Sequence, residues 1–203
     1  DLHSFPTRRS SDLADFKENI LRALVVPSGV GRNILMQSGR AKLLEKINSA
    51  VKKDFDGKFM LRKIRPVNQI PANAQGKILK SEVEKIFESK MEEPIFICES
   101  SAENSFEAEM FFAAENTYFK GHFPVAKILP GVVQLHFAAV YASKFLGARG
   151  SVKCVKRLKF TNVIRPCEAV LLRVKKDSQN GYSFSFLKNG APCSSGTLEF
   201  ENA

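Results

Sequence analysis

The feature that most constrains the fold of this chain is an apolar stretch over residues 130–147. A proline opens the stretch and a glycine closes it, which is typical of the two ends of a helix. Its apolar residues extend nearly around the helix, which predicts burial on most sides. Four strand candidates with turn-rich separators follow it, at residues 152–160, 169–175, 182–188 and 193–200. This order of elements predicts an α+β fold in which an antiparallel sheet wraps one central helix.

The residues before this helix predict further strands of the same sheet. Pro94 opens the short apolar run IFIC, and residues 105–113 place Phe106, Ala108, Met110 and Phe112 on one side. Alternation with a period of two is typical of a half-buried strand. Residues 91–203 are therefore interpreted as one domain, which is long enough to hold a single core.

Residues 14–90 predict a separate small α/β unit. A strand candidate at residues 20–26 ends at the turn signal PSGVG, and a second candidate covers residues 59–67. Apolar residues at helical spacing predict helices over residues 38–53 and, after the break at Gly76, over residues 78–87.

The charge of the chain lies mainly in this upstream unit. Residues 14–90 carry 16 Lys and Arg against 8 Asp and Glu, a net +8, whereas residues 91–203 carry 13 against 11, a net +2. Such a field could attract an acidic carrier protein, a nucleotide or a nucleic acid. The basic residues are dispersed and no stacking platform of aromatic residues is evident, so we expect a solvated basic face and no nucleic-acid binding.

Composition and patterning place the chain among cytoplasmic globular proteins. Hydrophobic residues make up 44% and charged residues 26% of the sequence, which is ordinary for that class. We expect no membrane span, because no apolar run approaches the roughly 20 residues that one requires, and the first residues lack the order of a signal peptide. The four cysteines form no CxxC pair or metal-finger spacing, and we interpret them as scattered small apolar residues in a reducing compartment.

The first thirteen residues, DLHSFPTRRSSDL, have no hydrophobic period. They resemble, residue for residue, the translation of a common short-read sequencing adapter. We interpret residues 1–13 as an assembly artefact without a stable structure, and we exclude them from the fold. Residue 14 is then expected to lie inside a longer natural protein.

The segment PANAQGKI at residues 71–78 resembles the closing motif of AMP-forming acyl and aryl ligases. That motif has the form P-x-x-x-x-G-K, and Pro71, Asn73, Gly76 and Lys77 match it. The resemblance implies that residues 14–90 are the C-terminal subdomain of such a ligase and that Lys77 takes the place of the lysine that contacts the adenylate. The large ligase domain with its phosphate loop is absent from this sequence, so Lys77 is expected to be vestigial and the ligase portion inactive.

Beyond the first thirteen residues the sequence has only two histidines, His122 and His136, on either side of the predicted helix start. His122 stands in a Gly-His-Phe-Pro turn, where packing rarely requires an imidazole, so we interpret it as functional. His136 lies on an apolar helix, where a histidine is usually a satisfied core or interface residue, and that interpretation stays open. Two histidines alone do not supply a zinc site.

Residues 119–136, FKGHFPVAKILPGVVQLH, resemble the active-site stretch of the 3-hydroxyacyl-carrier-protein dehydratases, which have the hotdog fold. The resemblance implies that His122 is the catalytic base and that the backbone N–H of Gly131 binds the thioester carbonyl, with Val132 in the same substrate site. It also implies an acidic residue on the helix, fourteen positions after the histidine and contributed by a partner subunit. Here that position is His136, which we interpret as the acid or the water-positioning group.

The resemblance implies the reaction and its partners as well. We expect dehydration of 3-hydroxyacyl thioesters on an acyl carrier protein, by a homodimer and without a cofactor. The segments LPGVVQLH and LKFTNVIRPCE narrow the resemblance to the dehydratase-like branch of aryl-polyene gene clusters. Those clusters also encode an adenylating ligase, which agrees with the ligase-like segment upstream.

Two other interpretations remain open. An acyl thioesterase of the same fold usually relies on a carboxylate near the helix, and residues 110–145 contain one acidic residue, Glu115, which does not lie on the helix. A non-catalytic acyl-binding module would explain the missing carboxylate without any chemistry by imidazole groups.

Overall fold

The computed structural model describes residues 14–17, 20–54, 60–121 and 126–201 of the 203-residue chain. The adapter-like residues 1–13 and the predicted base His122 lie outside the described residues. The chain divides into two compact units, one ending at Lys90 and the other beginning at Met91.

The N-terminal unit is a three-stranded sheet with two helices. Its elements are β1 (Ala14–Lys17), β2 (Ile20–Val25), α1 (Gly29–Asp54), β3 (Lys63–Pro66) and α2 (Lys80–Glu88). β2 lies between an antiparallel β1 and a parallel β3. The apolar side of α2 packs Val83 and Phe87 against Leu24 of β2, and these three buried residues form a small core.

The first helix begins earlier than its apolar spacing predicts. The prediction of residues 38–53 covers the second part of α1, whereas the segment PSGVG, interpreted as a turn, contains the helix start at Gly29. The two parts meet at Gly39, whose φ of 76° and ψ of 179° interrupt the helix. A φ of this sign favours glycine because a side chain would be strained there.

The C-terminal unit is a six-stranded antiparallel sheet with one long helix, α3 (Gly131–Leu146). Its strands are β4 (Ile95–Ala102), β5 (Ser105–Phe111), β6 (Val152–Phe160), β7 (Val170–Lys176), β8 (Gly181–Lys188) and β9 (Ala191–Phe200). They lie in the order β4-β5-β7-β8-β9-β6, so β4 and β6 are the edges. All six strands predicted in this part of the sequence are confirmed.

Both predicted ends of α3 are confirmed. Pro130 immediately precedes the helix. Gly147 follows it in the left-handed conformation, with a φ of 72°, and donates its N–H to the carbonyl of Ala142. This is the usual way in which glycine satisfies the last carbonyls of a helix.

The core of this unit lies between α3 and the sheet. The alternation in β5 buries Phe106, Ala108 and Met110 on one face, as predicted. Aromatic rings connect this face to the helix, since Phe106 stacks on Phe145 with ring centroids 4.1 Å apart. Burial of so much apolar area is the main stabilising contribution, at roughly 25 cal/mol per Å².

The prediction that α3 is buried on most sides holds except along one stripe. Val132, His136 and Val140 follow one another at intervals of four residues and are exposed, as are Ser143 and Lys144 beyond them. Val132 is 70% exposed, although it is apolar. Apolar residues extend nearly around the helix, so the sequence alone does not show which side the sheet leaves exposed.

The edge strand β6 is irregular where its side chains are most exposed. Its register with β9 shifts between Lys156 and Lys159. Arg157 lies within this shift and has a φ of 51°. Residues 156–160 are all exposed.

Of the helices in the described residues, none is long and apolar enough to span a membrane. The four cysteines are free, and their burial differs, since Cys193 is buried and Cys98 is exposed. Cys193 therefore fits the interpretation as a small core residue, whereas Cys98 does not.

Candidate active site at the start of the central helix

The first turn of α3 presents backbone N–H groups that are free to bind a ligand. The carbonyl of Pro130 accepts the N–H groups of Val133 and Gln134, at 3.0 and 3.2 Å. Within the described residues, no acceptor is found for the N–H groups of Gly131 and Val132. The start of a helix is also the positive end of its dipole. The pair is therefore suited to an oxygen that gains negative charge during a reaction.

Gly131 lies directly against the aromatic ring of Phe160 at the end of β6. A Cβ atom added at Gly131 would stand 2.5 Å from Cζ of Phe160, closer than two such atoms can approach. The φ of Gly131 is not positive, so its backbone conformation does not itself require glycine. The close approach of this ring is therefore the structural reason for a glycine here.

The chain is anchored just before the segment that contains His122. A short 3₁₀ helix (Thr117–Phe119) follows Asn116, whose side chain accepts the N–H of Tyr118 at 3.0 Å and donates to the carbonyl of Glu92 at 2.9 Å. Phe119 is buried. Gly121, with a φ of 82°, is the last described residue before His122. The backbone just before the GHFP segment is therefore held in place by the hydrogen bonds of Asn116 and the burial of Phe119.

The chain is anchored again where the described residues resume. Leu129 is buried and donates its N–H to the carbonyl of Ile164, at 2.8 Å. Ile164 belongs to the loop of residues 161–169 between β6 and β7, and it is fully buried. The position of the start of α3 therefore depends on this loop.

Glu168 and Lys188 close this loop. One oxygen of Glu168 accepts the N–H of Arg165 at 2.8 Å and Nζ of Lys188 at 3.0 Å, and Lys188 also donates to the carbonyl of Val163 at 3.0 Å. Burial by itself would raise the pKa of Glu168. The hydrogen bonds from Arg165 and Lys188 and the nearby positive charges outweigh it, so the pKa of Glu168 lies below its usual value.

Replacing Glu168 with glutamine is expected to lower the free energy of unfolding by about 1 kcal/mol at neutral pH. A carboxyl group whose pKa is lowered in the folded state stabilises the protein at pH values above the pKa that it has in the unfolded chain. That contribution is lost as the pH falls through the folded value. Urea unfolding of both proteins from pH 7 to below pH 4 measures this, and we expect the two stabilities to converge at acid pH.

Glu107→Gln provides the matched control for this measurement. Glu107 pairs with Arg173 at 2.9 Å, but their side chains are 44% and 52% exposed. Exposed pairs contribute little, so this change should leave stability nearly unaltered at every pH. Equal losses in the two variants would contradict a specific role of Glu168.

His136 lies on the exposed stripe of α3, one turn after Val132. Its ring meets the edge of the Phe137 ring, with centroids 5.3 Å apart. It borders an open groove of about 550 Å³ that is also lined by Val140, Lys144, Val152 and Phe200. The imidazole is therefore accessible from outside its own unit. The interpretation of His136 as a buried core residue is wrong, while a role at an interface or in chemistry fits its exposure.

The polar residue that sequence reasoning missed is Gln134. It is only 3% exposed in the first turn of α3. Its Nε2 donates to the carbonyl of Leu129 at 3.2 Å, and its Oε1 accepts the hydroxyl hydrogen of Ser194 at 2.6 Å. The signal in the sequence was one glutamine on the side of an apolar helix that carries Phe137, Ala138 and Tyr141.

The expected carboxylate of the family pattern is absent from α3, whose sequence contains no Asp or Glu. The other buried polar group of the helix is Tyr141, whose hydroxyl has no partner within the described residues. Burial, with smaller effects from the charges of Glu93 and Glu99, raises the pKa of Tyr141. Tyr141 is therefore held neutral and does not replace the missing carboxylate.

The described residues contain no cluster of three or more His, Cys, Asp or Glu side chains that could hold a metal ion.

Lys77, in the N-terminal unit, lies in a loop that is held by hydrogen bonds to the side chain of Asn73. Oδ1 of Asn73 accepts the N–H groups of Gln75 and Lys77, at 3.0 and 2.9 Å, and Gly76 turns the chain with a φ of 74°. Lys77 itself is exposed.

Comparison with known proteins gives a family match for the C-terminal unit. Residues 98–197 match the ApeI-like family, described as ApeI dehydratase. This match covers just under half of the chain and begins at Cys98, so the ligase-like interpretation of residues 14–90 stays a prediction. No curated protein matches the sequence.

One solved structure agrees with this match, and a second is reported for comparison. The dehydratase heterocomplex ApeI:P from Xenorhabdus doucetiae contains a chain that is 25% identical with a TM-score of 0.50, over 53% of this chain and 96% of that one. An uncharacterized protein from Erwinia carotovora subsp. atroseptica is 23% identical with a TM-score of 0.47, over 53% and 94% of the two chains. The predicted α+β hotdog fold is confirmed for the C-terminal unit, and its family match supports a dehydratase of the hotdog type.

Proposed function

We propose that the C-terminal unit dehydrates 3-hydroxyacyl thioesters, carried on an acyl carrier protein, to trans-2-enoyl thioesters in aryl-polyene or fatty-acid-like synthesis. The observation that carries the proposal is the pair of N–H groups of Gly131 and Val132 at the start of α3, for which the part of the chain that the structure describes offers no acceptor. They stand a few residues after His122, in the order that the dehydratase motif requires. The match to a dehydratase family supports the class of reaction.

In this mechanism the thioester carbonyl accepts a hydrogen bond from the N–H of Gly131. That bond strengthens as negative charge develops on the oxygen, so it stabilises the transition state more than the substrate. Neutral His122 takes the proton from C2, and the electron pair moves towards the carbonyl oxygen. The C3–O bond then breaks as the C2=C3 double bond forms. The imidazolium returns its proton to the departing hydroxyl, which leaves as water.

His136 is assigned the second catalytic role, as the acid or water-positioning group at the 3-hydroxyl of the substrate. As an imidazolium it would donate a hydrogen bond to the departing oxygen, which still takes its proton from His122, and as a neutral imidazole it would position the water. His136 is exposed on the outer side of its own unit. We therefore assign it to the site of a neighbouring subunit.

The neighbouring subunit is proposed to be a second hotdog unit that packs on the exposed stripe of α3. This stripe exposes Val132 and Val140, which are 70% and 36% exposed, beside the groove that His136 borders. Apolar side chains exposed in line with an open groove are typical of an interface. A homodimer is the simplest assembly, and a hotdog subunit of another kind is the alternative.

Replacing Val140 with glutamate is expected to convert a dimer of this chain into monomers. A carboxylate on the stripe would have to lose its hydration without a partner, which costs more than most interfaces can offset. Sedimentation velocity over a range of concentrations measures the change. Val30→Glu is the matched control, because Val30 is 69% exposed and belongs to the N-terminal unit.

Comparing the two variants shows whether dimerisation depends on the stripe of α3 or is lost whenever an exposed valine is replaced by a charge. A dimer that persists in Val140→Glu would contradict the proposed interface. A wild-type chain that is monomeric at all concentrations would exclude the homodimer, and titration with a candidate hotdog partner would then test the other assembly.

The function itself is tested with the purified chain and 3-hydroxyacyl thioesters on a carrier protein and on coenzyme A. Absorbance of the conjugated enoyl thioester follows dehydration, and a thiol reagent follows hydrolysis in the same samples. Enoyl formation without thiol release supports the proposal. Thiol release alone would establish the thioesterase, and tight binding without turnover would establish the non-catalytic acyl-binding module.

A further inference from the structure

We infer that Gln134 is a positioning residue that sets the direction of the Gly131 N–H, and that Ser194 holds Gln134 in place. The inference rests on the proposed function, since that N–H is the group assigned to the thioester carbonyl. Gln134 does not itself point its hydrogen bonds at the site. It acts on the residue that precedes Pro130, and therefore on the peptide groups that lead into the helix.

The contacts of Gln134 are unusual for a residue inside an apolar core. It is 3% exposed, and Ser194 on β9 is 1% exposed. Burial of an amide is unfavourable unless its polar atoms are bonded. Both ends of this amide are bonded, one to the hydroxyl of Ser194 at 2.6 Å and the other to the carbonyl of Leu129 at 3.2 Å. A methionine of similar size would fill the same volume without any polar requirement.

The partners also decide the orientation of the amide. The carbonyl of Leu129 can only accept a hydrogen bond, so it must face the NH₂ group of Gln134. The oxygen of Gln134 then faces Ser194, whose hydroxyl can donate. A flipped amide would set two carbonyl oxygens against each other. The direction of the bond to Leu129 is thus determined by chemistry.

Pro130 carries this restraint to Gly131. The carbonyl of Leu129 belongs to the peptide group before Pro130, and Gln134 holds that group, while the bond from the Leu129 N–H to Ile164 holds the peptide group before it. The proline ring fixes φ near its value of −58°. The next peptide group carries the N–H of Gly131, and its carbonyl, from Pro130, accepts the N–H groups of Val133 and Gln134. The peptide groups before and after Pro130 are therefore both held by hydrogen bonds. Because the proline ring fixes φ, only the ψ angle of Pro130 can change their relative orientation.

The experiment uses the full chain with Gln134→Met, Ser194→Ala and the control Gln37→Met, which changes an exposed glutamine of α1. Three properties are measured: kcat and KM, the melting temperature, and the infrared stretch of a carbon-13-labelled thioester carbonyl in a bound enoyl thioester. A small displacement of a catalytic group can cost about 100-fold in rate. We expect Gln134→Met to lower kcat about 10- to 100-fold with a smaller change in KM.

The infrared signal separates positioning from simple stability. A weaker bond from the Gly131 N–H leaves the carbonyl less polarised, so its stretch should move to higher frequency in Gln134→Met and, by less, in Ser194→Ala. The control should match the wild type. Gln134→Glu adds a rescue, because a protonated carboxyl group can donate to Leu129 and accept from Ser194. Its kcat relative to the wild type should therefore rise as the pH falls.

An unchanged kcat and carbonyl frequency in folded Gln134→Met would overturn the inference. If that variant does not fold, the same result in Ser194→Ala would overturn it. Failure of the proposed function has a different signature, because the wild type would then form no enoyl product. Even then, the carbonyl stretch of a bound enoyl thioester can be compared between the wild type and the three variants. A difference in Gln134→Met would still show that Gln134 controls the N–H of Gly131.

Discussion

Replacing His122 with alanine is expected to lower kcat for enoyl formation by about 10²–10⁴-fold, the usual contribution of a general base. The C2 proton of a thioester is weakly acidic, and without the imidazole only water remains to remove it. Binding of the substrate should change little, because the proposed mechanism assigns the carbonyl to the backbone N–H of Gly131 and not to His122. Enoyl absorbance under saturating substrate measures the loss.

His3→Ala is the matched control for this variant, since it removes an imidazole from the adapter-like segment. Its activity should equal that of the wild type. His136→Ala should show a smaller loss than His122→Ala, because it removes the group at the hydroxyl and leaves the base. Full activity in His122→Ala would refute the dehydratase mechanism, whereas full activity in His136→Ala would remove only the second role.

Replacing Gly131 with alanine is expected to lower kcat/KM by about 10- to 100-fold, in the range found when a group that stabilises an oxyanion is disturbed. The new methyl group would stand 2.5 Å from Cζ of Phe160, so the ring or the helix start must move. Steady-state kinetics with a 3-hydroxyacyl thioester measure the loss.

Two further variants give this prediction its controls. Gly29 also begins a helix, but a Cβ atom there would meet nothing within 4 Å, so Gly29→Ala should be fully active. The double variant Gly131→Ala/Phe160→Ala removes the clash and should recover most of the activity relative to Phe160→Ala alone. If the double variant stays as impaired as Gly131→Ala, the ring is not the cause.

Elements that depend on neighbouring residues could be predicted from the sequence. The bounds of β6 agree with the prediction of residues 152–160, and Pro130 and Gly147 mark the ends of α3 as expected. These signals are local, because a period of two, a proline and a glycine act through the adjacent backbone. The start of α1 was missed since a segment rich in glycine can make a turn or begin a helix, and only the wider structure decides between them.

The candidate site could be predicted only where its groups lie close together in the sequence. Gly131 and Val132 are predicted from the motif, and both lie in the first turn of α3, where an N–H group has no acceptor within the helix. The roles of Phe160 and Ser194 depend on contacts across 29 and 60 residues, which no short motif contains. The exposure of His136 could not be derived either, because the pattern of apolar residues does not distinguish a helix face that packs on the sheet from one that the sheet leaves exposed.

The irregular edge strand β6 has a consequence for the behaviour of the protein at high concentration. An edge strand offers unpaired backbone groups to any other strand, and lysines and register shifts are the usual means of discouraging such contacts. β6 combines both at Arg157 and Lys159, whereas the charge of Lys156 is paired with Glu199 of β9. Positive charge along a bulged edge therefore disfavours fibre-like stacking of sheets. That protection weakens with ionic strength, because salt screens the repulsion between like edges.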